Sequence, residues 1–248
     1  VAKPAKTDRQ AKIDAIRKSQ KGAEKRQGFV IVGVCAAIAL ALIGAAVWGP
    51  VTGWLDKREY ADLAVSEIGA PASACTDVTT KKADGVQDHV PDGTTVDYKT
   101  SPPAFGAHWN IAGEAPATMS RKVYTDDRPA LEALVHNLEH GYTILWYDET
   151  IADDDEAMTE IRAIADKYEG TSNQRDKFIA APWTSEDGDA FPDDAHVAFT
   201  HWSAGGQGET DTTKQVGAFQ YCSGPSGAAL DAFMVEYPYF DSPEPNGM

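Results

Sequence analysis

Leu131-Glu132-Ala133-Leu134-Val135-His136-Asn137-Leu138-Glu139-His140-Gly141-Tyr142-Thr143-Ile144-Leu145-Trp146-Tyr147 holds the change of period on which the fold turns. Leu131, Leu134, Val135 and Leu138 recur at i, i+3, i+4 and i+7, which makes one apolar stripe on a helix. Gly141 stops that helix after His140, while Thr125, Asp126 and Asp127 offer N-caps upstream and Pro129 suits the first turn. From Tyr142 to Tyr147 the run is almost continuously apolar and aromatic, as in a central strand covered on both faces. His136 and His140 fall on the side of the helix away from the stripe, flanked by Glu132 and Glu139.

Working outward, residues 153–168 predict a second helix. Four acidic residues sit at its favourable N-terminal end, and Ala157, Met158, Ile161, Ile164, Ala165 and Tyr168 form its stripe. Residues 177–183 and 196–202 read as strands separated by an acidic turn. Ser226 caps a last helix carrying Leu230, Phe233, Met234 and Tyr237. Upstream, residues 76–100 read as loops and short strands, with 94–98 strand-like, and the proline-containing tail after Pro238 reads as irregular. The sum predicts an α+β fold, a mixed-sheet sandwich.

Further toward the N-terminus, residues 28–49 are 22 residues without a charge. As a helix they would span about 33 Å, enough for a bilayer core. Residues 1–27 carry nine Lys or Arg against three acidic residues, a net of +6, and the remainder of the chain carries 13 basic and 35 acidic residues, a net of −22. The positive-inside rule then predicts a cell-membrane protein with one span, its N-terminus cytoplasmic and its C-terminal domain extracytoplasmic. The expected organisation is a basic cytoplasmic arm at 1–27, a transmembrane helix at 28–49, and a juxtamembrane linker and domain entry at 50–86. An extracytoplasmic α+β domain at 87–240 and an irregular tail at 241–248 complete it.

The three cysteines sort by compartment. Cys35 lies in the expected span, whereas Cys75 and Cys222 face an oxidising exterior and are expected to form a disulfide. Phosphate-cradling glycine loops, Cys-x-x-Cys and haem-attachment motifs are absent, and the best approach to a nucleophile elbow, around Ser203, has His201 in place of its first glycine. No catalytic or cofactor-binding residue is assigned on this basis. The acidic exterior argues against nucleic acid as a ligand.

His136-Asn137-Leu138-Glu139-His140 is the sharpest local signal. Two histidines four apart on a helix can share a metal, and His-x-x-Glu-His is also the pattern of inverted zinc peptidases, in which the glutamate activates water. His108 follows a loop stiffened by Pro102, Pro103 and Gly106, which can set it over the polar face of the helix. His108, His136 and His140 are therefore the candidate metal ligands, for zinc or copper. The competing reading is a structural network in which these histidines bond carbonyls or carboxylates such as Glu132.

The proline-proline-glycine-histidine loop after Tyr98, then Val135-His136-Asn137-Leu138-Glu139-His140-Gly141-Tyr142 and an aromatic strand, resembles a family of single-pass extracytoplasmic domains of unknown function common in actinobacteria. The likeness runs from about Gln87 to the region of Phe240, with Ala104-Phe105-Gly106 standing where the family usually has Thr-Ser-Gly. A corynebacterial member is similar to an accessory polypeptide of the cytochrome bcc and terminal oxidase respiratory supercomplex. The resemblance implies a non-catalytic, membrane-anchored accessory subunit. Its partners would be membrane lipid and the integral and extracytoplasmic subunits of that assembly. The alternatives are an envelope metal-binding or metal-delivery protein and a small envelope metallohydrolase.

Overall fold

The computed structural model describes residues 8–83 and 87–247, without the side chains at positions 8, 19, 22–27, 45 and 47–57 of the first helix. The chain divides into two compact units, Val1–Asp56 and Lys57–Met248. Helix α1, Asp8–Tyr60, makes up the described part of the first. Within it Phe29, Val30, Ile31, Val32, Val34, Ile38, Leu40, Leu42 and Ile43 are all exposed. No helix is, over its described residues, long and apolar enough to cross a membrane. The side chains of the expected span are described at 28–44 and 46, and those at 45 and 47–49 lie outside the described residues.

The second unit is an α+β domain built on one mixed sheet. Its strands are β1 (Thr79–Lys82), β4 (Thr143–Tyr147), β5 (Phe178–Pro182), β6 (Val197–Ser203) and β7 (Val216–Cys222), in the order β1-β7-β6-β4-β5. Only the β4–β5 pairing is parallel. A separate parallel pair joins β2 (His89–Val90) to β3 (His108–Trp109), with His89 opposite His108.

Strand alternation divides the core into two layers. Leu145 and Tyr147 of β4, with Phe178, Val197 and Phe199, pack under α4 (Asp155–Asp166) and α5 (Gly227–Glu236). Ile144 and Trp146, with Ile179, Ala181, Ala198 and Trp202, pack under Leu134, Val135 and Leu138 of α2 (Leu131–Glu139). The helix expected over residues 153–168 is α4, capped by Asp154, whose carboxylate accepts from the N–H groups of Glu156 and Ala157; the one-turn helix α3 (Glu149–Ala152) precedes it. Ser226 caps α5 as expected, its Oγ accepting from Ala229 N–H at 3.2 Å.

Two sequence expectations need correction. Helix α2 begins at Leu131 with Ala130 as N-cap, so Thr125, Asp126 and Asp127 cap nothing in it. Residues 94–98 are not a strand, because the Val96 N–H is taken by the Glu132 carboxylate at 2.8 Å and not by a neighbouring strand. Within the stretch read as linker and domain entry, β1 forms one edge of the sheet, and the expected disulfide joins Cys75 to Cys222 across 147 residues.

The tail is irregular, as its prolines imply, yet it is bound to the domain. The ammonium of Lys177, only 1% exposed, donates to the carbonyls of His140, Pro245 and Gly247 at 2.7, 2.9 and 2.8 Å. Gly141 has φ +87°, and a Cβ there would stand 2.1 Å from the Tyr239 carbonyl oxygen. A glycine is required both to end α2 and to let the tail close on it.

Candidate metal centre

Helix α2 is amphipathic by sequence but buried on every side: Glu132, His136, Asn137, Glu139 and His140 are all less than a tenth exposed. The polar face must therefore be satisfied inside the protein. Asn137 does so with both ends of its amide, accepting from Ala117 N–H at 2.8 Å and donating to Ala117 C=O at 2.9 Å.

His108 and His136 each use one ring nitrogen. His136 Nδ1 lies 2.6 Å from the Trp109 carbonyl, and His108 Nδ1 lies 2.8 Å from the Gly106 carbonyl. A carbonyl oxygen only accepts, so both Nδ1 atoms carry a proton, and in the neutral ring each Nε2 presents a lone pair. An N–H bonded to a backbone carbonyl, fixing tautomer and ring orientation, is the arrangement found behind metal-ligating histidines.

Those lone pairs converge on a carboxylate. Glu139 Oε2 is 2.9 Å from His108 Nε2, 4.0 Å from His136 Nε2 and 4.0 Å from His89 Nε2. Neither His108 Nε2 nor Glu139 Oε2 has a hydrogen-bond partner among the described residues, although both are buried. Two acceptors at 2.9 Å repel unless a cation or a proton lies between them. The other carboxylate oxygen is fixed: Gln87 donates to Glu139 Oε1 at 3.0 Å, Gln215 donates to Gln87 at 2.9 Å, and Trp202 Nε1 donates to Gln215 at 3.2 Å. This relay from β6 sets the carboxylate plane and leaves Oε2 to the histidines.

Charge states agree with ligand duty. Burial holds the His136 imidazole down at about 4, with His140 and His108 pushing the same way. Burial also holds His140 at about 4, against the pull of Glu139. Burial alone would push the Glu139 carboxyl up, but positive charge and a donated hydrogen bond from the His108 side, together with the Gln87 amide, outweigh it and leave it below the ordinary carboxylate range. At neutral pH His136 and His140 are therefore neutral imidazoles and Glu139 an anionic carboxylate.

One ligand atom from each of His89, His108, His136 and Glu139 falls in a group within 4.8 Å of one another. Ligands at about 2.0–2.2 Å from a tetrahedral zinc stand about 3.4 Å apart, so closure on an ion needs the 4.0 Å pairs to contract and the 2.9 Å pair of His108 and Glu139 to open, each by about half an ångström. Three members are buried and His89, with its side chain 44% exposed, stands at the solvent side.

The structure divides the expected trio of His108, His136 and His140 between two groups. His108 and His136 come together, but with His89 and Glu139. His140 touches the His136 ring, centroids 4.5 Å apart, and belongs to a second group with Glu139 and Glu244. The inverted peptidase arrangement would seat His136 and His140 on one ion with Glu139 at its water, whereas here Glu139 lies among the imidazoles. His89 carries no sequence signal of its own, since it sits in a two-residue strand and reaches the site only by pairing with His108. Glu139 was visible in the motif but read as a water-activating residue.

Comparison with curated proteins and with solved structures finds no similar one. A model of the family described as protein of unknown function (DUF3105) matches residues 89–245, from the solvent-side histidine of the cluster through the tail that carries Glu244, and the chain belongs to that family.

Proposed function

We propose that this protein is a membrane-anchored, extracytoplasmic metal-binding protein whose α+β domain holds a divalent ion on His89, His108, His136 and Glu139. The observation that carries the reading is the buried 2.9 Å contact of His108 Nε2 with Glu139 Oε2, which needs a cation or a proton between the two atoms. Leaving such atoms unsatisfied costs about 1–3 kcal/mol each, and more for a charged group, a cost that a bound cation removes. Three imidazoles and a carboxylate suit Zn(II) or Cu(II), and the set lacks the thiolate or thioether that would favour Cu(I). Binding rather than hydrolysis is proposed because Glu139, the residue that would activate water, is drawn into the ligand set.

The anchor is supported by α1 itself. Its apolar side chains at 29–32, 34, 38, 40 and 42–43 are exposed around the helix, and an uncharged stretch of that kind would find its solvent in lipid. With the basic arm inside, the acidic domain and its disulfide stand outside, where a bridge between Cys75 and Cys222 persists.

Metal analysis of the untagged full chain, purified in mild detergent and exposed to zinc or copper, tests the reading. Retention of at least one ion per chain after dialysis, with loss in Glu139→Ala and in His108→Ala, is expected. A wild-type chain that retains none refutes it. A second reading, an accessory subunit of an actinobacterial bcc–oxidase supercomplex, is favoured by the −22 charge carried beyond a basic, anchored leader, which suits basic faces of extracytoplasmic partners. Absence of the chain from the oxidase assembly purified in mild detergent, with normal expression, removes it.

A further inference from the structure

His140 is the buried group that the four-ligand centre leaves over. Its Nδ1 has no hydrogen-bond partner among the described residues, and its Nε2 stands 3.5 Å from Glu244 Oε2. A neutral imidazole buried to this degree ordinarily bonds at one nitrogen at least. The ring is close-packed, since a Cβ at Gly247 would come within 2.5 Å of it.

Glu244 is the only tail acid in this group, and its backbone is fixed. Its N–H donates to the Glu139 carbonyl at 2.9 Å, while Lys177 holds the next carbonyls, those of Pro245 and Gly247. The half-exposed carboxylate is thereby brought to the rim of α2. Ligand atoms of Glu139, His140 and Glu244 lie within 4.8 Å of one another. Glu139 is common to this group and to the group of His89, His108 and His136.

We infer that the protein binds a second divalent cation on Glu139, His140 and Glu244, with the Glu139 carboxylate bridging the two ions. The inference rests on the metal-binding reading above and extends it from one ion to two. Paired ions sharing a carboxylate stand about 3.5–4 Å apart in known two-metal sites, and the adjacent His136 and His140 rings each face a different member of such a pair. Three considerations rank the second ion as the weaker. It has three protein ligands instead of four, one of them reaches into solvent, and the Lys177 ammonium lies nearby with its charge partly met by three carbonyls. Water completes its coordination on the Glu244 side. The tail then acts as the outer wall of the centre.

Calorimetric titration of the untagged, metal-free full chain in detergent with Zn(II) reads both affinities and stoichiometry. Two ions per chain are expected, the second at least tenfold weaker than the first. Glu244→Gln should bind one ion with the first affinity unchanged within about threefold, and His140→Ala should do the same. Because Glu244 is exposed and its backbone makes the tail contact, Glu244→Gln remains informative even where His140→Ala unfolds. Saturation of the wild type at one ion overturns this inference and leaves the four-ligand centre standing. Two ions retained by Glu244→Gln also overturn it. No ion bound overturns both.

Discussion

Glu139 decides what the centre is. Its Oε1 is committed to Gln87, and its Oε2 faces His108 Nε2, a lone pair whenever that ring is neutral. Replacing the carboxylate by an amide turns that clash into a donor–acceptor pair, because the Gln NH2 can donate to His108 Nε2. Glu139→Gln should therefore lose zinc, yet in the presence of a chelator it should melt at or above metal-free wild type. The wild type should be stabilised by zinc, by about 4 kcal/mol when free zinc exceeds its dissociation constant 1,000-fold. Differential scanning calorimetry with and without chelator checks both; a chelated Glu139→Gln well below chelated wild type contradicts the account. The two suppressed histidines give a second prediction. His136 and His140 titrate near 4 when folded and near 6.5 when unfolded, so between those values the unfolded chain binds more protons. Their contribution is fully present above pH 6.5 and is lost as pH falls toward 4. Urea midpoints of the metal-free protein should decline through that window, and a flat profile would contradict the buried neutral state.

At the scale of elements, the position of His108 depends on how closely its loop approaches β7. A Cβ on Gly217 would come within 2.5 Å of the Phe105 ring and 2.8 Å of the Ala104 methyl, and Gly217 pairs with Trp202, which abuts the His108 ring. Gly217→Val should push the 102–106 loop off the sheet, costing about 1–3 kcal/mol in overpacking. It should also weaken zinc binding, since His108 is carried on that loop. Unchanged zinc affinity would show that β3 is positioned independently. The elements also show what could be read in advance. Leucine spacing with Gly141 marked α2 and its turn into β4, because tertiary packing there agrees with the local pattern. It could not show that the polar face was buried, since periodicity reports which side is apolar and not what covers the other. Strand β7 escaped because Gly217, Ala218 and Gln220 dilute its alternation, and β1, Thr-Thr-Lys-Lys, is an exposed edge strand with no apolar face. His89 was invisible for a related reason: a two-residue strand has no period, and only its pairing partner gives it a place.

Over the whole domain, the disulfide and the tail draw the chain's distant parts onto one sheet. Cys75 and Cys222 tie the entry segment to β7, and Lys177 ties the tail to the end of α2. The pairing of these cysteines was legible from compartment logic alone, whereas the role of the tail was not, because prolines announce irregular backbone without saying where it packs. Reduction, or Cys75→Ser with Cys222→Ser, should lower stability by about 2–5 kcal/mol. Thermal melts of the oxidised and reduced chain check this, and coincident melts would show the link to be dispensable. The account as a whole stands on the identity of the donors around the ion. Zinc K-edge X-ray absorption of the zinc-loaded full chain tests it most directly. A nitrogen and oxygen shell at about 2.0–2.1 Å with outer-shell scattering from several imidazoles is the predicted result. A sulfur shell at about 2.3 Å, placing the metal on a cysteine such as Cys35, or a spectrum of hydrated zinc alone, would contradict it.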